Sequence, residues 1–269
     1  MKYPSMNRMG EIDMRKCLGE RLTWTVKEDG SNIGIWIENG EIRIRSRNME
    51  NAQEQFVSKV QSLDCYNSIV GMLHEELEIY NNNFMIFGEL MSKGMSPTRI
   101  KMYEEDGFKV FDMYDLQNER WVVYNNIYQK CFHWDIPIVE LYGDTIFTDV
   151  GSLREFRDEA LVWCRENRIE GVVIKDYKNG RFYKEKIDMP IPMKVVREDG
   201  KIELPILPDS EIYGAIDKAK VDLSNEDFLN VRIAMPLIAS YVKMECDKHC
   251  CRNPSNIFGY YKNVITEMM

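Results

Sequence analysis

Hydrophobic and polar residues near the start of the chain alternate with the period of β-strands. Residues 22–26 alternate apolar side chains with threonines, which predicts a half-buried strand. Isoleucines alternate with polar or small residues over 33–37, and Asn39-Gly40 then supplies the two-residue turn typical of a β-hairpin. The returning segment 42–47 puts isoleucines on one face and three arginines on the other, namely Arg43, Arg45 and Arg47.

The period becomes helical over residues 50–80, and this helical segment ends at three consecutive asparagines. Further strands are predicted near 84–91, 108–115 and 121–124. A helix is predicted over 151–167, with Ser152 as its N-terminal cap. Alternating strand and helix patterns predict a mixed α/β domain over residues 1–198.

Composition changes near residue 197, where charged, glycine and proline residues indicate a linker. After it the patterns predict helices near 209–219, 225–247 and 254–267. Ser224 precedes two acidic residues, Glu226 and Asp227, which is typical of a helix start. We therefore expect a small all-helical domain over residues 199–269.

The composition limits the class of protein. The chain has 269 residues, of which 44% are hydrophobic, so a large core can form. It has no long uncharged apolar run, its opening residues lack an apolar signal core, and its seven cysteines are irregularly spaced. We expect a cytoplasmic protein (in the host cytosol if it is viral) without a membrane partner. A net charge of -9 argues against a broad nucleic-acid surface but leaves room for a local basic groove.

Candidate chemistry begins at Lys27, where the first strand ends at Asp29-Gly30, a turn signal. A lysine at such a junction can point into a cleft. If it is buried near other cations, it loses its proton more easily and can attack phosphorus or carbon. The alternative is an ordinary charged strand end, since K-x-D-G occurs in roughly one chain in twenty of this length.

Three further motifs follow in order: Phe-Gly-Glu-Leu at 87–90, Phe-Asp at 111–112 and Glu-Gly-Val-Val-Ile-Lys at 170–175. With Lys27 they resemble the covalent nucleotidyltransferases, which are DNA ligases, RNA ligases and mRNA capping enzymes. The resemblance covers about residues 20–196. It implies an α+β fold in which an antiparallel-sheet adenylation domain is followed by the helical domain.

The resemblance also implies roles for individual residues. Lys27 would be the nucleophile that carries AMP, Glu89 would contact the ribose hydroxyls, and Glu170 would organise the phosphates and the metal. ATP and Mg²⁺ are the implied cofactors, with Mn²⁺ as a substitute. Phe111, with Asp112 beside it, would stack on the purine, although a core phenylalanine is the alternative.

Other positions match the nucleotide-binding residues of the family less specifically. Asn32 would contact phosphate or ribose, or else form an Asx turn. Arg47 would bind sugar or phosphate, whereas Arg43 and Arg45 are expected only to form an exposed charged face. Val26, directly before the nucleophile, is counted with the nucleotide-binding residues.

The basic residues that follow Glu170 depart from the family pattern. Lys175, Lys184 and Lys186 would neutralise the phosphates, with the last two as the final K-x-K motif. Lys194 is the alternative for that motif. Strict strand alternation puts Glu170 and Lys175 on opposite faces, unless a bulge intervenes or the strand begins later.

Four residues near the C-terminus have the chemistry of zinc ligands: Cys246, His249, Cys250 and Cys251. They fall at the end of a predicted helix and lack separated C-x-x-C pairs. We favour reduced cysteines packed beside the helix.

The helical tail decides among the nucleotidyltransferases, because DNA ligases and capping enzymes usually carry an OB-fold there. A helical tail resembles the group of RNA ligases that includes the second RNA ligase of phage T4 and the trypanosome editing ligases. This implies ATP-dependent joining of 3′-hydroxyl and 5′-phosphate RNA ends, often at nicks in duplexes, through lysyl-AMP and an adenylated 5′ end. The acidic pI leaves room for an accessory RNA-binding protein. A DNA ligase with a partner OB-fold and a non-catalytic nucleotide-binding scaffold remain as alternatives.

Overall fold

The computed structural model describes residues 1–47, 49–98, 100–187, 195–196, 202–203, 206–249 and 251–268. The chain divides into two compact units, Met1–Ser96 with Ile100–Ile187, and Pro97–Arg99 with Asp188–Met269. The predicted domain boundary between residues 198 and 199 lies outside the described residues.

The first unit contains most of the strands. In chain order its elements are α1 (Glu11–Cys17), β1 (Arg21–Lys27), β2 (Ser31–Glu38), β3 (Glu41–Ser46), α2 (Glu54–Gln61), α3 (Tyr66–Glu78), β4 (Phe84–Met91), β5 (Gly94–Met95), β6 (Met102–Tyr103), β7 (Gly107–Asp115), β8 (Arg120–Trp121), α4 (Tyr124–His133), β9 (Leu141–Ile146), α5 (Val150–Glu166), β10 (Gly171–Asp176) and β11 (Arg181–Lys186).

A four-stranded antiparallel sheet, here called the first sheet, has the strand order β11-β10-β1-β9. One of its faces is apolar: Leu22, Trp24, Val172 and Ile174 are fully buried in a core to which residues of α1 and α5 also contribute. Side chains alternate across a strand, so the neighbouring residues of β1, β10 and β11 lie on the opposite face.

A five-stranded antiparallel sheet, the second sheet, has the order β3-β2-β4-β7-β8. The predicted β2–β3 hairpin is confirmed: Asn39 and Gly40 adopt φ angles of 53° and 79°, the two positive values that a type I′ turn requires. The isoleucines over 33–37 are all buried. A separate two-stranded pair joins β5 to β6.

The second unit is mainly helical. It contains β12 (Val195–Val196), β13 (Ile202–Glu203), α6 (Asp209–Asp222), α7 (Asn225–Leu229), α8 (Val231–His249) and α9 (Ile257–Met268). Its core includes Ile212, Phe228, Ile238 and Tyr261. The predicted cap is confirmed, because the Ser224 hydroxyl accepts the N–H of Asp227. Antiparallel sheets followed by a helical region confirm the predicted α+β class.

Several element boundaries differ from the prediction. The single helix expected over 50–80 is two helices, interrupted where the Ser62 hydroxyl donates to a backbone carbonyl and competes with the helical pattern. The helix expected over 225–247 is likewise broken at Asn230, whose backbone is extended. The cap of α5 is Asp149 rather than Ser152, because the Asp149 carboxylate accepts the Ser152 N–H.

Other elements were not predicted at all: α1, α4, β5, β6, β9, β12 and β13. Because β13 pairs with β12 and lies within residues 199–269, the expectation that this domain is all-helical is wrong. The strand expected over 121–124 ends at Trp121, and α4 begins at Tyr124. Among the helices described, none is both long and apolar enough to cross a membrane.

Candidate active site

Lys27 is the last residue of β1, and a tight turn connects it to β2. A side chain at Gly30 would place its Cβ 2.3 Å from the Leu90 carbonyl oxygen, so only glycine fits there. The Gly30 N–H donates to Glu89 Oε1 over 3.1 Å. The turn therefore packs directly against the end of β4 and brings the second motif beside Lys27.

The register of the first sheet places Lys27, Gly171 and Lys186 side by side on three neighbouring strands. Cross-strand partners share a face, so both lysine side chains project on the same side, with Gly171 between them. Glu170 lies in that gap, with its Oε2 2.5 Å from Lys27 Nζ and its Oε1 2.8 Å from Lys186 Nζ. A Cβ at residue 171 would meet the Glu185 carbonyl oxygen at 1.9 Å, so the motif glycine is required by close packing.

The two lysines keep Glu170 ionised. Burial raises the pKa of Glu170, but Lys186 and Lys27 outweigh it and bring the pKa down to about 2. Burial lowers the pKa of Lys27, yet Glu170 and Glu89 outweigh burial and Lys186, so its pKa lies above the ordinary value. The expectation that nearby cations make Lys27 lose its proton more easily is therefore wrong for this state of the site, in which Lys27 is an ammonium ion.

The pKa of Glu89 is shifted in the opposite direction to that of Glu170. Glu89 is half-buried on β4, and burial, together with Glu170 and Asp29, raises its pKa to about 8 despite the attraction of Lys27. At neutral pH the site therefore contains one ionised and one protonated carboxyl group. Such a separation of pKa values is typical of sites in which two carboxyl groups have different tasks.

Lys184 and Lys175 share the face of the first sheet that carries Lys27. Lys184 pairs with Val173, one alternation beyond the Gly171–Lys186 pair, and Lys175 pairs with Phe182, two alternations beyond it. Because β10 begins at Gly171, Glu170 lies outside the strand and the alternation conflict predicted for Glu170 and Lys175 does not arise. Lys184 and Lys186 therefore project from β11 on the same side of the first sheet as Lys27. The space that these three lysines and Glu170 line is here called the cleft.

Lys175, by contrast, lies deeper than predicted. Its side chain is 0% exposed, and its ammonium donates to Asp112 Oδ1 over 3.0 Å and to the Phe111 carbonyl oxygen over 2.6 Å. The structure thus places Lys175 in an ion pair with Asp112 rather than in the cluster of Lys27 and Glu170.

A β-bulge in β7 orients the Phe-Asp motif. Phe87 pairs with Asp112 and Gly88 pairs with Val110, which leaves Phe111 as the extra residue. Adjacent residues normally point to opposite faces, but a bulge changes the direction of a side chain. The Tyr3 ring lies 5.0 Å from the Phe111 ring, and the Tyr3 hydroxyl bonds Asp112, so both motif residues face the space between the two sheets.

Three other predicted nucleotide-binding residues have distinct positions. Asn32 pairs with Glu89 across β2 and β4, so the two share a face. Arg47 is half-buried and directly follows β3. The Val26 side chain is buried on the face opposite to Lys27, and its N–H donates to the Glu140 carbonyl over 2.9 Å. Only its backbone is therefore close to the cleft.

The two remaining arginines of β3 behave differently. Arg43 forms surface ion pairs with Glu38 and Glu41, as expected for an exposed charge. Arg45 was expected to be exposed, but it is only 9% exposed and donates to the Met1 carbonyl. Its place beside the side-chain-free Gly34 accounts for the burial.

A family model described as RNA ligase matches residues 20–196. The chain belongs to the RNA ligase family. The match includes every residue predicted to handle the nucleotide, from Val26 to Lys186. A comparison with curated proteins found no match.

Solved structures support the same fold. Two variants of an RNA ligase from Naegleria gruberi, each with ATP and Mn, are 16% and 15% identical and have TM-scores of 0.54 and 0.55. They cover 69% and 70% of this chain, and 55% and 56% of their own. The same ligase with pyrophosphate gives a TM-score of 0.54 at 16% identity, covering 69% of this chain and 56% of its own. This family member thus spans just over half the length of that ligase, and the likeness at this identity concerns the fold.

Glu170 and Glu89 are the carboxyl groups of the site that could contribute to binding a divalent metal. Within the described part of this RNA ligase family member, no group of three or more acidic, histidine or cysteine residues is arranged to hold a metal. Both Glu170 oxygens contact ammonium groups, and the raised pKa of Glu89 keeps it protonated. Glu170 is therefore the one ionised carboxylate of the two, and it would hold a cation together with water and nucleotide phosphates, as Mg²⁺ is usually bound, in exchange for one of its ammonium contacts.

Two candidate groups fall partly or wholly outside the described residues. Cys246 and Cys251 are both buried, and the Cys251 N–H donates to the Cys246 carbonyl. The side chain of His249 and all of Cys250, which would complete a zinc site, lie outside the description. So does Lys194, the alternative for the last lysine motif.

Several residues that hold the nucleophile turn are not apparent from the sequence. The Glu28 carboxylate pairs with Lys109 and accepts the Tyr103 hydroxyl over 3.4 Å. The Tyr103 oxygen in turn accepts the Asp29 N–H over 3.3 Å. These partners are more than 70 residues apart in sequence, so no local pattern reveals them.

Proposed function

We propose that this chain is an ATP-dependent RNA ligase that stores AMP on Lys27 and uses it to join RNA ends. The observation that carries the proposal is the convergence of Lys27 and Lys186 on the buried Glu170 carboxylate, inside the region that matches the RNA ligase family. The Naegleria ligase structures with ATP and Mn support ATP and a divalent cation as cofactors.

In the first step the Lys27 amine attacks the α-phosphorus of ATP. A nitrogen–phosphorus bond forms, the bond to the β-phosphate oxygen breaks, and pyrophosphate leaves with the electron pair. Lys27 must first lose its proton, but the low pKa of Glu170 makes that carboxylate too weak a base to hold it. We infer that Glu170 orients the amine and that water takes the proton.

The other residues of the cleft would bind the nucleotide. Lys184 and Lys186 supply positive charge where the phosphates gather negative charge in the transition state. Protonated Glu89 can both donate to and accept from ribose hydroxyls, and Phe111 stacks on the base. Asn32 and Arg47 complete the sugar and phosphate contacts.

A divalent cation bound at Glu170 would add positive charge at the phosphates and weaken the field that keeps Lys27 protonated. The residues of the chain itself set the orientation of the amine, through the 2.5 Å contact to Glu170.

Two further transfers would complete ligation. AMP passes from Lys27 to the 5′-phosphate of one RNA end, forming a pyrophosphate bond and freeing the lysine. The 3′-hydroxyl of the other end then attacks the 5′-phosphorus, a phosphodiester forms, and AMP leaves. Nicked duplex RNA is the proposed substrate, and an accessory RNA-binding protein fits the net charge of -9.

The first step is tested by incubating the purified protein with α-labelled ATP and Mg²⁺ and separating it under denaturing conditions. The wild type is expected to carry the label, with ATP preferred to GTP, and Lys27→Ala to carry none. Lys178→Ala is the matched control, because Lys178 is a 74% exposed lysine that pairs with Glu20 at the surface. Label that persists in Lys27→Ala would refute the assignment of the nucleophile.

A further inference from the structure

Tyr3 lies outside the region that matches the RNA ligase family, yet its side chain reaches the proposed nucleotide site. It is only 3% exposed, and its hydroxyl donates to Asp112 Oδ2 over 2.5 Å, across 109 residues of sequence. Nothing in the proposed chemistry uses this contact, so its purpose has to be sought in what Asp112 holds.

Asp112 is the centre of a polar network in which Asp112, Lys175 and Tyr3 are buried and Tyr177 is half-buried. Its Oδ2 accepts from Tyr3, and its Oδ1 accepts from Lys175 over 3.0 Å and from the Tyr177 hydroxyl over 2.8 Å. Lys175 also donates to the Phe111 carbonyl over 2.6 Å. A buried ion pair is tolerated only when further hydrogen bonds satisfy its remaining lone pairs, and the two tyrosines supply these bonds.

The network fixes the β-bulge that directs Phe111. Lys175 holds the carbonyl of the bulged residue, and Asp112 is the next residue of the same strand. The Tyr3 ring also meets the edge of the Phe111 ring, with centroids 5.0 Å apart and planes at 77°. Both the hydroxyl and the ring of Tyr3 therefore constrain the aromatic residue proposed to stack on the base.

Aromatic contacts with both sheets hold Tyr3 itself in place. Its ring lies 5.1 Å from Phe87 and 5.5 Å from Trp121 in the second sheet, and 6.1 Å from Phe182 in the first. Edge-to-face and tilted arrangements at these distances are favourable.

Backbone bonds anchor the segment on both sides of Tyr3. The Met1 carbonyl accepts from Arg45, the Asn7 carbonyl accepts the Lys184 N–H, and the Met9 N–H donates to Glu185. Tyr3 is thus a fixed part of the cleft.

We propose that Tyr3 is a positioning residue for the nucleotide base, acting through Asp112 and Phe111. The inference rests on the proposed function, because it assumes that Phe111 stacks on the base of ATP. Removing the Tyr3 hydroxyl leaves one oxygen of a buried carboxylate without its donor, and the bulge relaxes to compensate. The base-binding half of the site then loses affinity, while the phosphate-binding half around Lys27 and Lys186 keeps its geometry.

The test is Tyr3→Phe in the full-length chain, which removes a single oxygen and keeps the ring. We expect the KM for ATP in lysyl-adenylate formation to rise about fivefold to tenfold, with kcat changed less than about twofold. Calorimetric titration with adenosine should show a similar loss of affinity. Titration with inorganic triphosphate, which lacks the base, should show none.

The matched control is Tyr183→Phe. Tyr183 is also a buried tyrosine of the first unit, but it lies on the opposite face of the first sheet, in the apolar core that also contains Cys17. Its variant should bind adenosine and triphosphate like the wild type. Tyr177→Phe removes another donor from Asp112 and should resemble Tyr3→Phe, so it serves as a second variant if Tyr3→Phe does not fold.

The outcomes separate this inference from the proposed function. If the wild type forms no adenylate and binds no adenosine, the proposed function fails and the inference fails with it. If the wild type forms the adenylate, and Tyr3→Phe and Tyr177→Phe bind adenosine unchanged, the inference alone is wrong. Equal losses for adenosine and triphosphate, or a fall in kcat at unchanged KM, would show a general structural role and also overturn it.

Discussion

Glu89 is expected to destabilise the folded chain at neutral pH, so Glu89→Gln should be more stable and less active. The pKa of Glu89 is raised from 4.5 to about 8, first by burial. Between these values the folded state keeps a proton that the unfolded chain loses, so stability falls as pH rises from about 4.5 to about 8.

The size of the effect follows from the shift. At about pH 7 a raised pKa of this size costs about 3.4 kcal/mol, taking 1.36 kcal/mol for each unit above 4.5. Glu89 is half-buried, so solvent screening reduces the measurable cost to about 2 kcal/mol. Glutamine keeps the oxygen that accepts the Gly30 N–H and has no charge to lose, so the variant avoids this cost. It should still lower adenylation, because the amide nitrogen of glutamine can only donate to the ribose hydroxyls, whereas the O–H of a protonated carboxyl group both donates and accepts.

Urea unfolding at several pH values measures the difference directly. All five tryptophans lie between residues 24 and 163, so tryptophan fluorescence reports the unfolding of the first unit. Glu89→Gln should exceed the wild type by about 2 kcal/mol near pH 7 and by less than about 0.7 kcal/mol near pH 5. Glu155→Gln, which changes an exposed acid on α5, should stay within about 0.5 kcal/mol of the wild type. A destabilised Glu89→Gln, or a stability difference that does not change with pH, would show that burial of Glu89 does not raise its pKa as described.

The remaining predictions concern the lysines, the base and the nucleic acid. Lys186→Ala should lower adenylation at least about tenfold, or ~1.4 kcal/mol of transition-state stabilisation, because Lys186 contacts Glu170. A larger loss in Lys194→Ala would assign the last lysine motif to Lys194 instead. Phe111→Leu should raise the KM for ATP about tenfold, since base stacking on an aromatic ring is worth about 1–3 kcal/mol, and an unchanged KM would remove Phe111 from the site. Binding of nicked RNA by the full chain, measured by fluorescence anisotropy, should weaken as salt is added, and salt-independent binding would exclude phosphate contacts.

Local chemistry explains which parts of the fold were predictable. Asn39-Gly40 predicted the β2–β3 hairpin because few residues other than asparagine and glycine accept the two positive φ angles of its turn. The strand predicted over 84–91 matches β4, since its side chains are apolar along almost its whole length. Ordered motifs placed Lys27, Glu89 and Glu170 in one site, and the structure does bring these three side chains together.

The parts that were missed depend on contacts distant in sequence. The ion-pair partner of Lys175 is Asp112, 63 residues away. Because this pairing is not visible in the sequence, the Lys175 ammonium was predicted to contact the phosphates. Tyr3 is 109 residues from Asp112, and no periodicity links them. The bulge at Phe111 exists only as a mismatch between two paired strands, and such a mismatch cannot be read from one strand alone.

AMP on Lys27 is proposed to be an intermediate in RNA joining, and a single-turnover chase can follow it from the protein to the RNA. The labelled protein adenylate is isolated free of ATP and mixed with Mg²⁺ and RNA that has a 3′-hydroxyl and a 5′-phosphate at a nick in a duplex. The label should pass to the 5′ end of the RNA, and then appear as free AMP at the rate at which sealed strand forms. Adenylate from Lys178→Ala should behave in the same way, because Lys178 lies at the surface. Label that stays on the protein would contradict the proposed intermediate, and faster sealing of nicked DNA than of nicked RNA would contradict the proposed substrate.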